Sequence, residues 1–381
     1  MKILHLVSNW KWTGPAEPAV NLAAELARRG HEVKLLVGRS RGDEAPLRRE
    51  ALRRGLAPDE SLFLGKHRNP LRDWPDKSRL ARLLRAARFD VAHAHLGNDH
   101  RLVAAARRSA GVRLPIVRTW YDGELPESRA ERRLLARDAE AIVTPSERVA
   151  CLMPGALSVP SDRVFRIETA IDLSRFTPRG AGPDLRERLS IPPSAFVVGV
   201  VARMQRHRRF EVLLDAFARA AREDASLHFL LVGRGTWRRS VAEEPVKRLG
   251  LAGRTRFTGY LAGDDYPAAL RAMDAIVYLV PGSDGSCRTV REALAAGVPA
   301  VVSRAGMLPE IVGDGREGLH VDVTAESIAG AIVRLARDAA LRRALGGAAA
   351  ARARANLSLA AQAEATERVY ERAAAGAAEP R

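Results

Sequence analysis

No apolar run in this sequence approaches the ~20 residues that a membrane-spanning helix needs. The start of the chain, residues 1–7, is too short and too soon interrupted to be a secretory signal. Cysteine is also scarce, because Cys151 and Cys287 are the whole supply, so no disulfide framework argues for an oxidising compartment. We therefore expect a cytoplasmic protein, and we expect Cys151 to lie in the core.

Acidic residues are too few to balance the basic ones. The chain has 62 Lys and Arg residues against 45 Asp and Glu residues, which gives a net charge of +17. A surplus of this size favours an anionic partner, such as nucleic acid, a phosphorylated small molecule or an acidic lipid headgroup. Because no nucleic-acid recognition motif is found, we expect no nucleic-acid partner.

Strand-like and helix-like segments alternate over residues 3–144 and again over 196–303. This rhythm is typical of doubly wound parallel sheets, so we predict an α/β protein of two domains, for which 381 residues suffice. Residues 176–183, rich in proline and glycine, separate the two rhythms. The predicted domains are residues 1–176 and 177–356, and a C-terminal helix over about 357–376 could pack back on the first.

An arginine-rich loop follows the first strand of the second domain. It contains Arg203 and Arg208, and it leads into a helix near Phe210. Ligands of open parallel sheets bind at the carboxyl ends of strands, and guanidinium groups suit phosphate oxygens. We therefore predict that both arginines bind a nucleotide diphosphate. The alternative is a solvated basic helix start, which the positive end of the helix dipole disfavours.

A loop of small residues, 281–287, leads into a second helix of the same domain. The free amides at that helix start can hold a phosphate. Asp284 lies in the loop and Glu292 lies about one turn inside the helix, so that both carboxylates can accept hydrogen bonds from sugar hydroxyls. The alternative is that Asp284 only caps the loop and Glu292 only pairs with a nearby arginine.

Two further features are candidates for binding. Gly233 begins a Gly-x-Gly turn after a strand, but Arg238 stands where a dinucleotide fingerprint has its third glycine, so a tight turn is the simpler interpretation. His93 and His95 alternate along one strand and share a face. They could contact an acceptor or act as a general base, or they could be hydrogen-bonded supporting residues. A metal pair is less favoured, because no third ligand is evident.

Taken together, these loops resemble the GT-B glycosyltransferases, in particular the large retaining family 4. Arg203 and Arg208 match the Arg-x4-Lys pair of that family, with arginine in place of lysine. Asp284 and Glu292 match its Glu-x7-Glu signature, with aspartate in the first place. Residues 26–33 and 305–318 match further family segments, so the resemblance covers most of the chain.

The resemblance implies a GT-B fold of two facing Rossmann-like domains with parallel sheets. It implies a retaining transferase that moves a sugar from a nucleoside-diphosphate sugar to a glycan, lipid-linked or small-molecule acceptor, in cell-envelope or glycoconjugate biosynthesis. The second domain would bind the donor and the first would bind the acceptor. Because members usually need no metal, we expect no metal and no cofactor.

The resemblance also assigns roles to residues. Glu292 would hold the ribose, and Arg203 with Arg208 would neutralise the leaving diphosphate. The transferred sugar and the diphosphate would be held by Asp284 and by the amides of Gly285, Ser286 and Cys287.

Besides Arg208, four positions depart from the family pattern. Asp284 is one methylene shorter than glutamate, and Arg288 adds a cation beside the diphosphate site. The N-terminal loop has a single glycine, Gly14, where paired glycines are usual, and Tyr121 stands where a Thr-x-His sequence has histidine. By the resemblance, both are candidates for the acceptor side. These departures leave open another GT-B enzyme, such as a nucleotide-sugar epimerase, and a non-catalytic nucleotide-sugar-binding protein.

Basic amphipathic stretches lie at residues 47–54 and 79–88 of the first domain, which also contains Trp10, Trp12 and Trp74. Such faces can rest on anionic lipid, and this would place the protein at the inner face of the membrane. The alternative is a solvated helix face packed by its leucines.

Overall fold

The computed structural model describes residues 1–12, 14–40, 45–178, 180, 182–281 and 287–378. The chain divides into two compact units. Unit 1 comprises Met1–Ala170 and Leu359–Arg381, and unit 2 comprises Ile171–Ser358. The sequence placed the change of domain near residue 176 and the C-terminal helix from about residue 357, a few residues from these bounds.

Unit 1 is built on a sheet of six parallel strands in the order β2-β1-β3-β4-β5-β6. Most of these strands bury side chains on both faces, as a parallel sheet covered by helices requires. Since β2 and β3 lie on opposite sides of β1, the winding reverses between β1 and β3. The strands are β1 (Lys2–Val7), β2 (Glu32–Val37), β3 (Val91–Ala94), β4 (Ile116–Thr119), β5 (Ala141–Thr144) and β6 (Val164–Arg166).

Among the described residues, six α-helices connect these strands. The first ends at Arg28, where Gly30 follows with a left-handed φ of +93° that glycine adopts without strain. The helices are α1 (Ala16–Arg28), α2 (Pro46–Arg53), α3 (Pro70–Ala86), α4 (Gly97–Ala110), α5 (Arg129–Asp138) and α6 (Glu147–Leu157). Cys151 is exposed on α6, so its predicted place in the core was wrong.

Unit 2 repeats the design with six parallel strands in the order β12-β11-β10-β7-β8-β9. Here the winding reverses between β7 and β10. The strands are β7 (Phe196–Val201), β8 (Leu227–Val232), β9 (Thr255–Gly259), β10 (Ala275–Tyr278), β11 (Ala300–Val302) and β12 (Gly318–His320). The helices are α7 (Leu185–Arg188), α8 (Phe210–Glu223), α9 (Glu244–Arg248), α10 (Asp265–Arg271), α11 (Arg288–Ala295), α12 (Leu308–Ile311), α13 (Ala325–Arg337) and α14 (Ala339–Asn356).

The last helix, α15 (Leu359–Ala378), packs within unit 1 although it follows unit 2 in the chain. Val369 and Tyr370 are buried against Ile3 and other apolar side chains of the first sheet and α1. Glu367 accepts two hydrogen bonds from Arg29, both at 2.7 Å, and these lower the pKa of Glu367 to about 2.

Regular strands and helices agree closely with the sequence patterns, and short elements do not. Strand β5 ends at Thr144 and β7 begins at Phe196, where the first predicted rhythm ends and the second begins, and α8 begins at Phe210 as the sequence indicates. Strands β6 and β12, with three residues each, lie outside the two predicted rhythms, which end at residues 144 and 303. In the described part of the chain, no helix combines the length and the apolar character that a membrane crossing requires.

Candidate functional site

The arginine-rich loop of unit 2 joins β7 to α8. A short 3-10 turn, Arg206–Arg208, holds the end of the loop, and Arg209 then takes a left-handed φ of +57° that turns the chain into the helix. The Nη1 of Arg208 donates a hydrogen bond of 2.7 Å to the backbone oxygen of Val280. This bond joins the arginine-rich loop to Val280, the residue that directly precedes the small-residue loop in the sequence.

The two predicted phosphate-binding arginines have charges that the described residues do not neutralise. Arg203 is exposed and forms no hydrogen bond or ion pair within the described part of the chain. Arg208 is half-buried, and its Nε has no hydrogen-bond partner there. Neighbouring Arg209, by contrast, pairs with Glu211 at 2.7 Å. Arg203 and Arg208 therefore remain available to an anion.

The place of this site in the sheet agrees with the general rule for doubly wound folds. The loop after β7 and the loop after β10 lie at the carboxyl ends of neighbouring strands. The winding of the sheet reverses between these two strands, and ligands of such sheets bind at that point.

Gly233 is explained by the contact between the loops after β7 and β8. A Cβ at Gly233 would lie 2.2 Å from the backbone oxygen of Ala202, and the φ of this glycine is +134°. The same contact is closed by a hydrogen bond of 3.2 Å from the Met204 amide to the oxygen of Arg234. Gly233 thus allows the backbones on either side of Arg203 to approach the loop after β8. This agrees with the interpretation of Gly233 as part of a tight turn.

Replacing Gly233 with alanine is expected to destabilise unit 2 by about 1–3 kcal/mol or more, because the new Cβ meets backbone at an unfavourable φ. Thermal unfolding followed by circular dichroism measures the effect. Gly253→Ala is the matched control, since a Cβ at Gly253 meets nothing within 4 Å. An unchanged melting temperature for the Gly233 variant would contradict the packing explanation.

Glu292 lies inside α11 and is almost completely buried. Its carboxylate accepts a hydrogen bond of 2.5 Å from the Tyr266 hydroxyl and lies 3.3 Å from the Nε of Arg288. Burial, together with the charge of Glu292, raises the pKa of Tyr266 well above its usual value. The alternative, that Glu292 pairs with a nearby arginine, is therefore seen in the structure, and binding of a ribose hydroxyl stays a prediction.

Cys287 precedes α11 and is buried, with a left-handed φ of +50°. Asp284, Gly285 and Ser286 lie outside the described residues, so their predicted roles stay predictions. Tyr266, on α10, was missed as a site residue. Its position before a proline indicates a helix start, and nothing local indicates the partner 26 residues later.

In unit 1, His93 and His95 join a third histidine that the sequence analysis missed. His5 on β1 is the register partner of His93 on β3. All three side chains are buried. The Nδ1 of His5 lies 2.9 Å from the Nε2 of His95, and the Nδ1 of His93 lies 2.6 Å from the Tyr370 hydroxyl.

The remaining nitrogens of this cluster also have partners. The Nε2 of His93 lies 2.7 Å from Thr119 Oγ1, and the Nδ1 of His95 lies 2.8 Å from the Tyr121 hydroxyl. Burial lowers the pKa of His5 to about 3 and those of His93 and His95 well below the ordinary value. Of the roles left open, this neutral network corresponds to hydrogen-bonded supporting residues.

The statement that no third metal ligand is evident was wrong, because one nitrogen of each of His5, His93 and His95 lies within 4.8 Å of the others. The rings of His93 and His95 are stacked with an interplanar angle of 23°, and those of His5 and His95 with 20°. The ring nitrogens are engaged with each other and with Tyr370, Thr119 and Tyr121. The arrangement therefore favours hydrogen bonding, and metal independence stays a prediction.

Tyr121, in the position where the resemblance expects histidine, is buried and contacts His95. Gly14 lies in the turn just before α1, next to a residue outside the described part of the chain. Neither position reveals a contact that identifies an acceptor.

Two doubly wound six-stranded parallel sheets, one of which has two arginines in the loop at its switch point, define a protein of the GT-B class. Residues 14–175 match the model of Glycosyltransferase Family 4, and residues 183–352 match that of Glycosyl transferases group 1. The chain belongs to glycosyltransferase family 4 and is a glycosyltransferase.

Individual relatives agree with this assignment. The chain is 30% identical over 291 residues to the D-inositol 3-phosphate glycosyltransferase of Actinosynnema mirum, which covers 70% of this chain and 68% of that protein. It is 35% identical to the GDP-mannose-dependent alpha-mannosyltransferase of Mycolicibacterium smegmatis, over 42% of this chain and 39% of that one. The crystal structure of Anabaena HepE in complex with UDP and glucose superimposes with a TM-score of 0.80 at 21% identity, over 98% of this chain and 100% of that one.

Proposed function

We propose that unit 2 binds a nucleoside-diphosphate sugar and that the protein transfers the sugar to a glycan, lipid-linked or small-molecule acceptor. The observation that carries this proposal is the bond from Arg208 to Val280, which sets an unneutralised guanidinium beside the loop that leads into α11. A cation pair at a sheet switch point next to a helix start suits a diphosphate.

The arginines would act mainly on the leaving group. As the bond between the anomeric carbon and the diphosphate oxygen breaks, negative charge grows on the diphosphate. Arg203 and Arg208 stabilise this charge more strongly in the transition state than in the bound donor, and this lowers the barrier. The acceptor oxygen attacks the same face of the sugar, and its proton passes to the departing diphosphate oxygen, so the configuration is retained without a protein nucleophile.

The same arrangement supports metal independence. A metal ion in such a reaction would neutralise the leaving diphosphate, and two arginines with a helix start supply positive charge in that place. Glu292, fixed by Tyr266, is proposed to orient the ribose, and the loop with Asp284 to contact the sugar.

The donor and the acceptor are best found by screening. Names of relatives point to different donors, since one is GDP-mannose-dependent and another structure holds UDP with glucose. Thermal shifts with UDP, GDP, ADP and their sugars should identify a ligand that raises the melting temperature of the folded protein. Release of the nucleoside diphosphate with an acceptor panel then measures transfer. No stabilisation by any of these nucleotides would overturn the proposal.

We also propose that the protein contacts an anionic membrane through α3, in keeping with a role in cell-envelope or glycoconjugate biosynthesis at the inner face of the membrane. Leu71 and Trp74, at positions i and i+3 of this helix, are 89% and 70% exposed, the highest values among the large apolar residues described. Exposed Lys66, Arg68 and Arg72 surround them in the sequence. Exposed apolar side chains with basic residues close by in the sequence suit acidic headgroups, although Asp73 also lies between them.

The predicted stretch at 47–54 is less suited to this role. On α2, Arg53 and Arg54 pair with Glu50 at 2.8 and 2.9 Å, and Leu47 is buried. The exposed apolar residues of α3 lie before the other predicted stretch, 79–88, rather than within it.

Replacing both Leu71 and Trp74 with serine is expected to reduce flotation with phosphatidylglycerol-containing vesicles by on the order of tenfold or more, because each buried apolar side chain contributes roughly 1.5–3 kcal/mol. Leu52→Ser, on the exposed face of α2, serves as the control and should float like the unchanged protein. The proposed membrane contact would be contradicted if the α3 variant floated as well as the unchanged protein. It would also be contradicted if the unchanged protein floated equally well with zwitterionic and anionic vesicles.

A further inference from the structure

The strand ends of unit 1 hold a buried arginine without a counter-ion. Arg118 is the third residue of β4 and is only 4% exposed. Its Nη1 donates to the backbone oxygen of Thr119, and its guanidinium carbon lies 5.8 Å from the ring centroid of Trp120. Its Nε has no hydrogen-bond partner among the described residues, and no ion pair of Arg118 is found there either.

Three carboxylates act on the charge of Arg118 without an ion pair to it among the described residues, in the order Asp99, Glu131 and Asp122. Asp99 opposes the charge of Arg118 at a distance, and the two influence each other's pKa. Yet Asp99 is engaged elsewhere, because it accepts hydrogen bonds from the amides of Ser8, His95 and Leu96 at 2.7, 3.0 and 2.8 Å. These bonds tie the end of β1 to the start of α4. Burying a charge without a hydrogen-bonded partner is costly, so the fold alone does not explain Arg118.

The position of Arg118 is that of a ligand-binding residue. It is the register partner of Ala94 on β3, next to His95. Ser8 follows β1 directly, so Ser8, Asp99 and Arg118 lie at the carboxyl edge of β1, β3 and β4. The winding of this sheet reverses between β1 and β3, and ligands of doubly wound sheets bind at that edge.

We propose that unit 1 recognises an anionic group of the acceptor, a phosphate ester, through Arg118. This inference rests on the proposed transferase function and specifies the chemistry of its acceptor. The Nε and one Nη of a guanidinium present parallel N–H groups that match two phosphate oxygens, and a phosphate would supply the missing counter-charge. The phosphate belongs either to a soluble phosphorylated compound or to a lipid headgroup, which share this chemistry.

Binding to unit 1 can be separated from binding to unit 2. The full-length protein carrying Arg203→Ala and Arg208→Ala lacks the cations of the donor site, and the fluorescence of Trp120 beside Arg118 reports on unit 1. Titration with glycerol 3-phosphate should give a saturable change that uncharged glycerol does not give. Adding Arg118→Gln should weaken this binding on the order of tenfold or more, the loss expected for charge-assisted hydrogen bonds.

Arg113→Gln is the matched control, because Arg113 is exposed just before the same strand, at its opposite end. It removes the same charge and should leave binding unchanged. Arg118→Gln should not lower the melting temperature, since it removes an unpaired buried charge. A lower melting temperature with unchanged binding would assign Arg118 to packing against Trp120 and overturn the proposal.

Vesicles of phosphatidylglycerol, which present the same phosphate as a diester, distinguish the two sources. Arg118-dependent binding of vesicles alone supports a lipid headgroup, and Arg118-dependent binding of glycerol 3-phosphate supports a soluble acceptor. Binding of neither probe, or binding that Arg118→Gln leaves intact, overturns the inference. A failed donor screen with intact phosphate binding would instead refute the proposed transfer reaction.

Discussion

Replacing Arg208 with alanine is expected to weaken the binding of a nucleoside diphosphate by on the order of ten- to a hundredfold, because charge-assisted hydrogen bonds are worth about 1.5–3 kcal/mol. Transfer should fall further, on the order of 10²–10³-fold in kcat, since the cation is needed most as charge develops on the leaving group. Calorimetric titration and the rate of nucleoside-diphosphate release measure the two effects. Arg203→Ala should behave in the same way.

Two variants make this result specific. Arg208→Lys restores the residue type found in the Arg-x4-Lys pair, and it should recover part of the activity because it keeps the charge but loses the paired donors. Arg209→Ala removes the adjacent arginine, which already pairs with Glu211, and it should leave binding nearly unchanged. Equal losses in Arg208→Ala and Arg209→Ala would mean that the general positive charge of the loop, rather than Arg208 at Val280, binds the diphosphate.

Unit 1 is expected to lose stability steeply as the pH falls from about 6.5 toward 4. In the unfolded chain a histidine binds a proton near pH 6.5. In the folded unit, burial lowers the pKa values of His5 and His100 to about 3 and those of His93 and His95 well below the usual value. The contribution of these neutral histidines to the free energy of unfolding is therefore complete above pH 6.5. It is lost as the pH falls toward their pKa values in the folded state. Each such histidine adds up to about 1.4 kcal/mol per pH unit.

One carboxyl group opposes this trend. Burial raises the pKa of Asp99 to about 6, above the value of an unfolded aspartate. Between about pH 6 and 4 the folded state therefore binds this proton more readily, and protonation of Asp99 stabilises it. Because four histidines act against one aspartate, the net effect in this window is destabilising.

Urea unfolding at several pH values, followed by tryptophan fluorescence, tests the prediction for unit 1 in particular. Four of the five tryptophans lie in this unit, namely Trp10, Trp12, Trp74 and Trp120. His5→Asn should reduce the slope of stability against pH by about 1.4 kcal/mol per pH unit, whatever its effect on stability at neutral pH. His67→Gln, at an exposed position, should leave the slope unchanged. A flat profile between pH 8 and 5 would refute the buried neutral network.

Much of the fold could be predicted, because strands and helices of ordinary length carry their own periodicity. The helix at 210–223 shows the alternation of buried and exposed positions that an amphipathic helix requires, and its bounds agree with the sequence pattern. Short strands such as β12 depend on pairing with a neighbour, so no local pattern marks them. Cys151 was misplaced because its neighbours along α6 include both buried and exposed apolar residues.

The sequence predicted individual residues of the candidate site, but it did not predict which residues contact one another. Arg203, Arg208 and Glu292 follow from residue type and from their place after strands. The partner of Arg208 is a backbone oxygen 72 residues away, and that of Glu292 is a tyrosine 26 residues away. Such partners depend on which strands are neighbours.

The sequence by itself determined that this protein has two parallel α/β sheets, that arginines follow β7, and that an acidic residue lies inside α11. These are local facts, because periodicity and residue type act over a few positions. Only the tertiary structure decided that His5 joins His93 and His95, that α15 returns to unit 1, and that Arg118 is buried without a counter-ion. Strand order and register set these contacts, and both arise from the packing of the whole sheet rather than from any single segment.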